Sequence, residues 1–237
     1  MDELAVLRAL HRPGVIVDVG AHDGALAVPL ARLPGARVVA FEPLPPAFAR
    51  LRDAVAGLPV ELRQQALGVG PGRLVLEVPV VGGVLCEQWA SVAKDYAAIA
   101  AADPRVEGIE RWEVEVVALD SLGLTDVTAM KLDAEGAEEE VLRGAEATLR
   151  RCRPVLTVEI EERHRAGSTV AVPALLAGWG YRGFFQLDGA WRGIGEFDPA
   201  MQVASVSPAS FEASDPYVFV FLFLPEEQLR EGGLRLP

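Results

Sequence analysis

The chain is poor in cysteine, in lysine and in positive charge, and each shortage excludes a class of protein. Only Cys86 and Cys152 are cysteines, so at most one disulfide could form and a disulfide-stapled scaffold is excluded. Both lie among apolar residues, and we expect reduced thiols. Asp and Glu number 34 against 22 Lys and Arg, which gives a net charge of −12. This acidity argues against binding duplex nucleic acid, whose phosphates attract excess cations.

The sequence shows no secretory signal and no segment long enough to cross a bilayer. The first residues, Met1-Asp2-Glu3, are not a basic stretch followed by an apolar one. The apolar run at 218–224 is far shorter than the roughly 20 residues that a transmembrane helix needs. Hydrophobic residues make up 51% and charged residues 24%, as in globular proteins. We therefore expect a cytoplasmic protein without membrane insertion, folded as a single domain over residues 1–237.

Buried-strand and helix patterns alternate along the chain, which predicts an α/β fold with a parallel sheet and right-handed crossovers. A helix at 25–33 contains Pro29 and is expected to be short or kinked. The final strand is apolar on both faces, which predicts a central or covered position and would also suit a homodimer. Irregular segments at 79–112 and 186–216 are predicted to cover a substrate pocket. The main strands are predicted at 15–19, 36–41, 60–64, 127–132, 154–160, 181–186 and 217–224, with added strands at 73–78 and 113–118.

The first candidate binding motif follows the first strand, where the chain reads Asp18-Val19-Gly20-Ala21-His22-Asp23-Gly24. Glycines at such a corner let a ligand approach the backbone, and ligands bind at the carboxyl ends of parallel strands. The spacing is not GxGxxG, and the carboxylate of Asp18 would repel a pyrophosphate. The loop therefore favours a cationic or neutral adenosyl ligand such as S-adenosylmethionine over a dinucleotide.

Two further segments complete this predicted adenosyl site. Glu42-Pro43 ends the second strand, where the two carboxylate oxygens of Glu42 could accept both hydroxyls of a ribose. Ala66 and Leu67 follow the third strand, together with Gln65, where an adenine ring would lie. The predicted cofactor-binding residues are Asp18, Gly20, Ala21, His22, Gly24, Glu42, Pro43, Ala66 and Leu67.

A second group of candidates follows the next two strands and carries acid–base chemistry. Asp133 ends the strand at 127–132 and Glu159 ends the strand at 154–160, so both face the same edge. Glu135 and His164 lie just beyond them, and histidine can take up a proton near neutral pH. The carboxylates could hold a hydroxyl or, through hard oxygen ligands, a divalent cation. Glu161 and Glu162 are predicted to be solvated.

Taken together, these motifs resemble the FkbM family of S-adenosylmethionine-dependent methyltransferases over roughly residues 15–165. The most specific element is Lys131-Leu132-Asp133-Ala134-Glu135-Gly136-Ala137-Glu138. The other matching elements are 18–24, 41–43, 66–68, Leu119-Asp120-Ser121-Leu122, 141–145 and 154–159. Pro29 and the turn at 68–72 depart from the family's pattern.

The resemblance implies a Rossmann-like class I methyltransferase fold with a mostly parallel seven-stranded sheet flanked by helices. It implies methyl transfer to a hydroxyl of a sugar, glycan or polyketide-like small molecule. By this resemblance Asp133 and Glu135 would lie beside the transferred methyl. Because a hydroxyl is a weak nucleophile, we expect Asp133 or His164 to act as base and Glu135 and Glu159 to orient the acceptor. Trp89, Trp112 and Trp191 could form an aromatic wall. The alternatives are a catalytically inactive adenosyl-binding protein and a nicotinamide-dependent oxidoreductase.

Overall fold

The computed structural model describes residues 1–91, 96, 100–101, 103–202, 217–230 and 236, with residues 88 and 230 described for backbone only. Residues 92–95, 97–99 and 102 of the segment predicted to be irregular at 79–112 lie outside the described residues, as do residues 203–216 of the segment predicted at 186–216. Among the described residues, no helix is both long and apolar enough to cross a membrane.

An eight-stranded, mostly parallel sheet forms the centre of the protein, in the spatial order β11-β10-β12-β9-β8-β1-β2-β3. Strands β3, β2, β1, β8 and β9 run parallel, whereas β12 is antiparallel to β9 and β10. This confirms the α/β class and the predicted alternation. The strands are β1 (Gly14–Val19), β2 (Ala36–Phe41), β3 (Val60–Arg63), β8 (Val127–Leu132), β9 (Val155–Glu159), β10 (Tyr181–Leu187), β11 (Ala190–Gly193) and β12 (Val220–Pro225).

Helices cover both faces of this sheet, and the central strands β1, β8, β9 and β12 bury side chains on both sides. The elements are α1 (Glu3–Ala9), α2 (Ala27–Leu30), α3 (Pro45–Ala54), α4 (Glu138–Arg143), α5 (Glu146–Cys152), α6 (Ser168–Gly178) and α7 (Glu226–Arg230). One apolar cluster joins the central strands to α4, α5 and α6, and two others join them to α1, α2 and α3. The helix with Pro29 is short, as expected, and spans only four residues.

The predicted count of seven strands is one too low, because β11 adds an edge strand to β10. The two strands pair antiparallel across Asp188 and Gly189, which have φ values of 51° and 75°. Asp-Gly with positive φ at both positions is the usual two-residue hairpin turn. Residues 186–193 are therefore regular, in contrast to the irregular segment predicted to begin at 186.

A second sheet of four strands, in the order β4-β7-β5-β6, lies beside the first. Its strands are β4 (Ala66–Leu67), β5 (Gly72–Val81), β6 (Val84–Leu85) and β7 (Val106–Val117), and β5 and β7 pair over their whole length. The prediction that 79–112 is irregular is thus wrong at both ends. Pro79 and the Gly82-Gly83 turn interrupt the alternation of apolar and polar residues by which a strand is recognised in the sequence. Pro79 is nevertheless part of β5, and its carbonyl accepts a hydrogen bond from Cys86 N.

The burial of β12 accounts for its apolar sequence. All six residues are buried between β9 and β10, so the expected central position is confirmed. Because no apolar face of this strand is left exposed, β12 offers no surface for a homodimer, and the homodimer stays a prediction.

Candidate active site

A cavity of about 390 Å³ opens at the carboxyl ends of β1, β2, β8 and β9. The parallel strands bring residues far apart in sequence to this edge. Most predicted site residues line the cavity, whereas Gly24 and His164 do not line it. The lining residues include the predicted Asp18, Gly20, Ala21, His22, Glu42, Pro43, Ala66, Leu67, Asp133, Glu135 and Glu159, and also Glu3, Gln65, Glu87 and Lys131.

The loop after β1 is shaped by Gly20, which has a φ of 72°. A Cβ atom at this position would lie 2.3 Å from the carbonyl oxygen of Asp133, so a side chain cannot be accommodated. The amides of Gly20 and Ala21 both donate to the carbonyl of Phe41 at 3.0 Å, which ties the loop to β2. Gly24 packs beside Leu51, and its positive φ of 89° turns the chain toward α2. Gly24 therefore shapes the loop and does not contact the cavity.

Glu42 links the two halves of the predicted adenosyl site. Its Oε1 accepts a hydrogen bond from Leu44 N and its Oε2 accepts one from His22 N, both at 2.9 Å. Burial raises the pKa of Glu42, and these two backbone bonds oppose the rise. Each carboxylate oxygen has a second lone pair, so Glu42 could accept further hydrogen bonds from a ligand in the cavity.

Lys131 is a buried cation at the centre of the site, and it belongs to the matched motif without a role predicted for it. Its Nζ donates to the carbonyls of Val19 at 3.1 Å and Gly20 at 2.8 Å. It also lies 3.8 Å from Asp18 Oδ1 and 3.6 Å from Asp133 Oδ2. Burial disfavours its charge, but these carboxylates outweigh burial and raise the pKa of Lys131. Lys131 therefore holds the glycine loop in place and partly neutralises the negative charge of Asp18 and Asp133.

Three carboxylates converge on the other side of the cavity. Oxygens of Asp133, Glu135 and Glu159 lie within 4.8 Å of one another. Burial, followed by repulsion from Asp133, raises the pKa of Glu159. Such a group can share a proton, accept hydrogen bonds from a hydroxyl, or supply oxygen ligands to a divalent cation.

His164 lies behind Glu135 rather than on the wall of this cavity. Its Nε2 is 3.1 Å from Glu135 Oε2 and 3.3 Å from Glu161 Oε1. It also lines a second cavity, of about 650 Å³, beside the turn at 68–72. Glu135 itself has a φ of 50°, and its carbonyl accepts a hydrogen bond from Ser91 Oγ at 2.7 Å. His164 is thus placed to orient Glu135.

Glu161 is buried, with 1% of its surface exposed, so the prediction that it is solvated is wrong. Burial opposes its ionisation, but two hydrogen bonds from Arg163, at 2.6 and 2.8 Å, and the nearby His164 keep its pKa below the usual value. Tyr217 also donates to it. Glu161, two residues after the end of β9, is held inward by these partners, and strand periodicity alone does not reveal this.

The three tryptophans do not form a common wall. Trp112 packs with the second sheet, whereas Trp191 packs with β12 and α1. Trp89 ends a short 3₁₀-helix, Glu87–Trp89. The first residue of this helix, Glu87, and the residue after it, Ala90, line the cavity.

Comparison with known families agrees with this geometry. The family model of the methyltransferase FkbM domain matches residues 18–182, which is more than half of the chain. The chain belongs to the FkbM methyltransferase family. A search of curated proteins found no match.

A solved structure of the same family supports this fold for this FkbM methyltransferase. An FkbM methyltransferase from Methylobacillus flagellatus KT is 16% identical, with a TM-score of 0.56, and the match covers 91% of this chain and 45% of that one. This chain therefore spans less than half the length of that protein. An rRNA methylase from Streptococcus thermophilus is 12% identical, with a TM-score of 0.49, over 94% of this chain and 93% of that chain. At 16% identity, the likeness to the Methylobacillus flagellatus protein concerns the fold alone.

Proposed function

We propose that this FkbM methyltransferase transfers a methyl group from S-adenosylmethionine to a hydroxyl of a sugar, glycan or polyketide-like small molecule. The observation that carries the proposal is the cavity itself. One side has the glycine loop and Glu42, which suit an adenosyl group, and the other has three converging carboxylates. We expect the protein to act in the cytoplasm on small molecules, without nucleic acid.

The cofactor side supplies binding groups for each part of the adenosyl ligand. Glu42 would accept the ribose hydroxyls, and the wall formed by Gln65, Ala66 and Leu67 would contact the adenine. The loop of Gly20, Ala21 and His22 lets the ligand approach the backbone, because no side chain projects at Gly20. S-adenosylmethionine supplies an electrophilic methyl on its sulfonium, so the protein mainly has to position the acceptor.

The side of the cavity with the three carboxylates, where the acceptor would bind, supplies the base. A neutral hydroxyl is a weak nucleophile, so a nearby group must take its proton. Burial and repulsion from Asp133 raise the pKa of Glu159, which favours its protonated form and makes it a weaker candidate for the base. Asp133, which is partly exposed in the cavity and 3.6 Å from Lys131, is our choice as base. Glu135, oriented by His164, would hold the acceptor hydroxyl.

A divalent cation is a second way to activate the hydroxyl, and the spacing of Asp133, Glu135 and Glu159 favours it as a variant of the same function. These residues offer hard oxygen ligands that suit Mg²⁺. Turnover measured with EDTA and with added Mg²⁺ separates the two variants. Loss of activity in EDTA that Mg²⁺ restores would support the cation, whereas unchanged activity would support Asp133 alone.

The test of the function is a methyl-transfer assay with S-adenosylmethionine carrying a deuterated methyl. Sugars, glycans and hydroxylated polyketides serve as acceptors, and products are read by mass spectrometry. We expect a labelled methyl ether from at least one class and at least a hundredfold slower transfer by Asp133→Asn. The exposed Glu110→Gln is the matched control. Cofactor binding without transfer to any acceptor would favour an inactive adenosyl-binding protein, and binding of NADH instead would favour an oxidoreductase.

A further inference from the structure

The amino-terminal helix α1 brings an unpredicted carboxyl group into the cavity. Val6 and Leu7 are buried and fasten the helix to the sheet. The Asp2 side chain caps its start by accepting a hydrogen bond from Ala5 N at 3.0 Å. Glu3, in the first turn, lines the cavity beside Asp18 and Lys131. The helix is therefore part of the cavity wall as well as a cover for the sheet.

Asp18 lies at the floor of the same region and lacks hydrogen-bond donors. It is fully buried, and neither carboxylate oxygen has a hydrogen-bond partner among the described residues. Asp18 and Lys131 are direct neighbours in the pairing of β1 with β8, so their side chains lie on one face of the sheet. That is the face that α1 covers.

Lys131 cannot supply the missing donors. An ammonium group has three N–H bonds, and two of them go to the carbonyls of Val19 and Gly20. At most one remains for the carboxylates of Glu3, Asp18 and Asp133, which lie around it. This end of the cavity thus has an excess of acceptors and of negative charge. A ligand with a cationic group that donates several hydrogen bonds would satisfy both.

We propose that Glu3, supplied by α1, is a further binding residue for the methyl donor and contacts the α-ammonium group at its amino-acid end, beside the already assigned Asp18. The inference rests on the proposed function, because it names a contact of the same cofactor. An α-ammonium group has three N–H donors and one positive charge. These match the two oxygens of Asp18, which lack hydrogen-bond partners among the described residues, and the nearby carboxylate of Glu3. Glu3 is a binding residue in this account and takes no part in proton transfer.

The experiment compares three ligands on wild type and Glu3→Gln by calorimetric titration. S-adenosylhomocysteine carries the ammonium group, its deaminated analogue lacks only that group, and 5′-methylthioadenosine lacks the whole amino-acid end. We expect Glu3→Gln to weaken S-adenosylhomocysteine at least tenfold and 5′-methylthioadenosine less than twofold. Glu110→Gln, which removes an exposed carboxylate from β7, should bind all three ligands as wild type does.

A thermodynamic cycle makes the test independent of the variant's stability. Wild type should lose at least tenfold in affinity when the amino group is removed, and Glu3→Gln should lose clearly less, because the two changes remove one interaction. The proposal is overturned if wild type binds the deaminated analogue within twofold of S-adenosylhomocysteine. It is also overturned if Glu3→Gln weakens all three ligands equally or none of them. If wild type binds no adenosyl ligand, the proposed function itself fails.

Discussion

Replacing Lys131 with methionine is expected to destabilise the protein strongly. Methionine keeps most of the volume of the buried side chain, so the main change is the loss of the ammonium group. Its hydrogen bonds to Val19 and Gly20 would be lost, and Asp18 and Asp133 would lose their nearest cation. Removing one partner of a buried ion pair costs about 3–5 kcal/mol, because the other charge remains without compensation.

For a chain of 237 residues, each kcal/mol lowers the melting temperature by about 2–4 °C, so we expect Lys131→Met to melt roughly 10 °C below wild type. Urea unfolding followed by tryptophan fluorescence gives the free energy directly. The loss should be smaller at pH 5 than at pH 8. Burial raises the pKa of Asp18, and without Lys131 this carboxyl takes up a proton more readily as the pH falls.

Two further variants test the reason for this loss. Asp18→Asn in the Lys131→Met background should restore part of the stability, because it removes a buried charge that has lost its partner. Arg37→Met breaks only the exposed pair with Asp126 and should change stability little. A free energy of unfolding for Lys131→Met within 1 kcal/mol of wild type would refute the reasoning.

Three other substitutions test separate parts of the site. The melting temperature of Glu159→Gln relative to that of wild type should rise between pH 5 and pH 8. The pKa of Glu159 is raised in the folded protein, so wild type loses stability as the pH rises toward that pKa. A difference in melting temperature that stays constant with pH would contradict this reason. Gly20→Ala should bind S-adenosylhomocysteine at least tenfold more weakly in calorimetry, because its Cβ meets the Asp133 carbonyl, and unchanged affinity would refute that contact. His164→Gln should lower kcat and keep the affinity for S-adenosylhomocysteine, because His164 contacts Glu135 but does not line the cavity; weakened cofactor binding would oppose this placement.

Much of the site was predictable because parallel strands end at one edge. Asp18, Glu42, Asp133 and Glu159 each stand at or next to the carboxyl end of a strand, and all line the cavity. Buried β-branched runs mark those strands clearly, so an acid at the end of each run is placed by topology alone. The glycine loop was predictable for the same reason, since Gly20 follows β1 directly.

The contacts between side chains in the site were not predicted from the sequence. They depend on the direction in which each side chain points and on elements, such as α1, that lie outside the alternation of strands and helices. Asp18 and Lys131 are each the residue before the last in their strands, a signal that could have predicted their pairing. Glu3 is on a short helix before the first strand, and no strand end marks it. Glu161 is held inward by Arg163 and by Tyr217, and Tyr217 is 56 residues away in the sequence, so the local pattern does not reveal this contact.

The most direct test of the account is titration of the protein with S-adenosylhomocysteine, on wild type, Glu42→Ala and the control Glu110→Gln. Glu42 joins the loop after β1 to the segment after β2 and faces the cavity. We predict micromolar binding by wild type and by the control, and at least tenfold weaker binding by Glu42→Ala. Absence of binding by folded wild-type protein, or equal binding by Glu42→Ala, would contradict the adenosyl site.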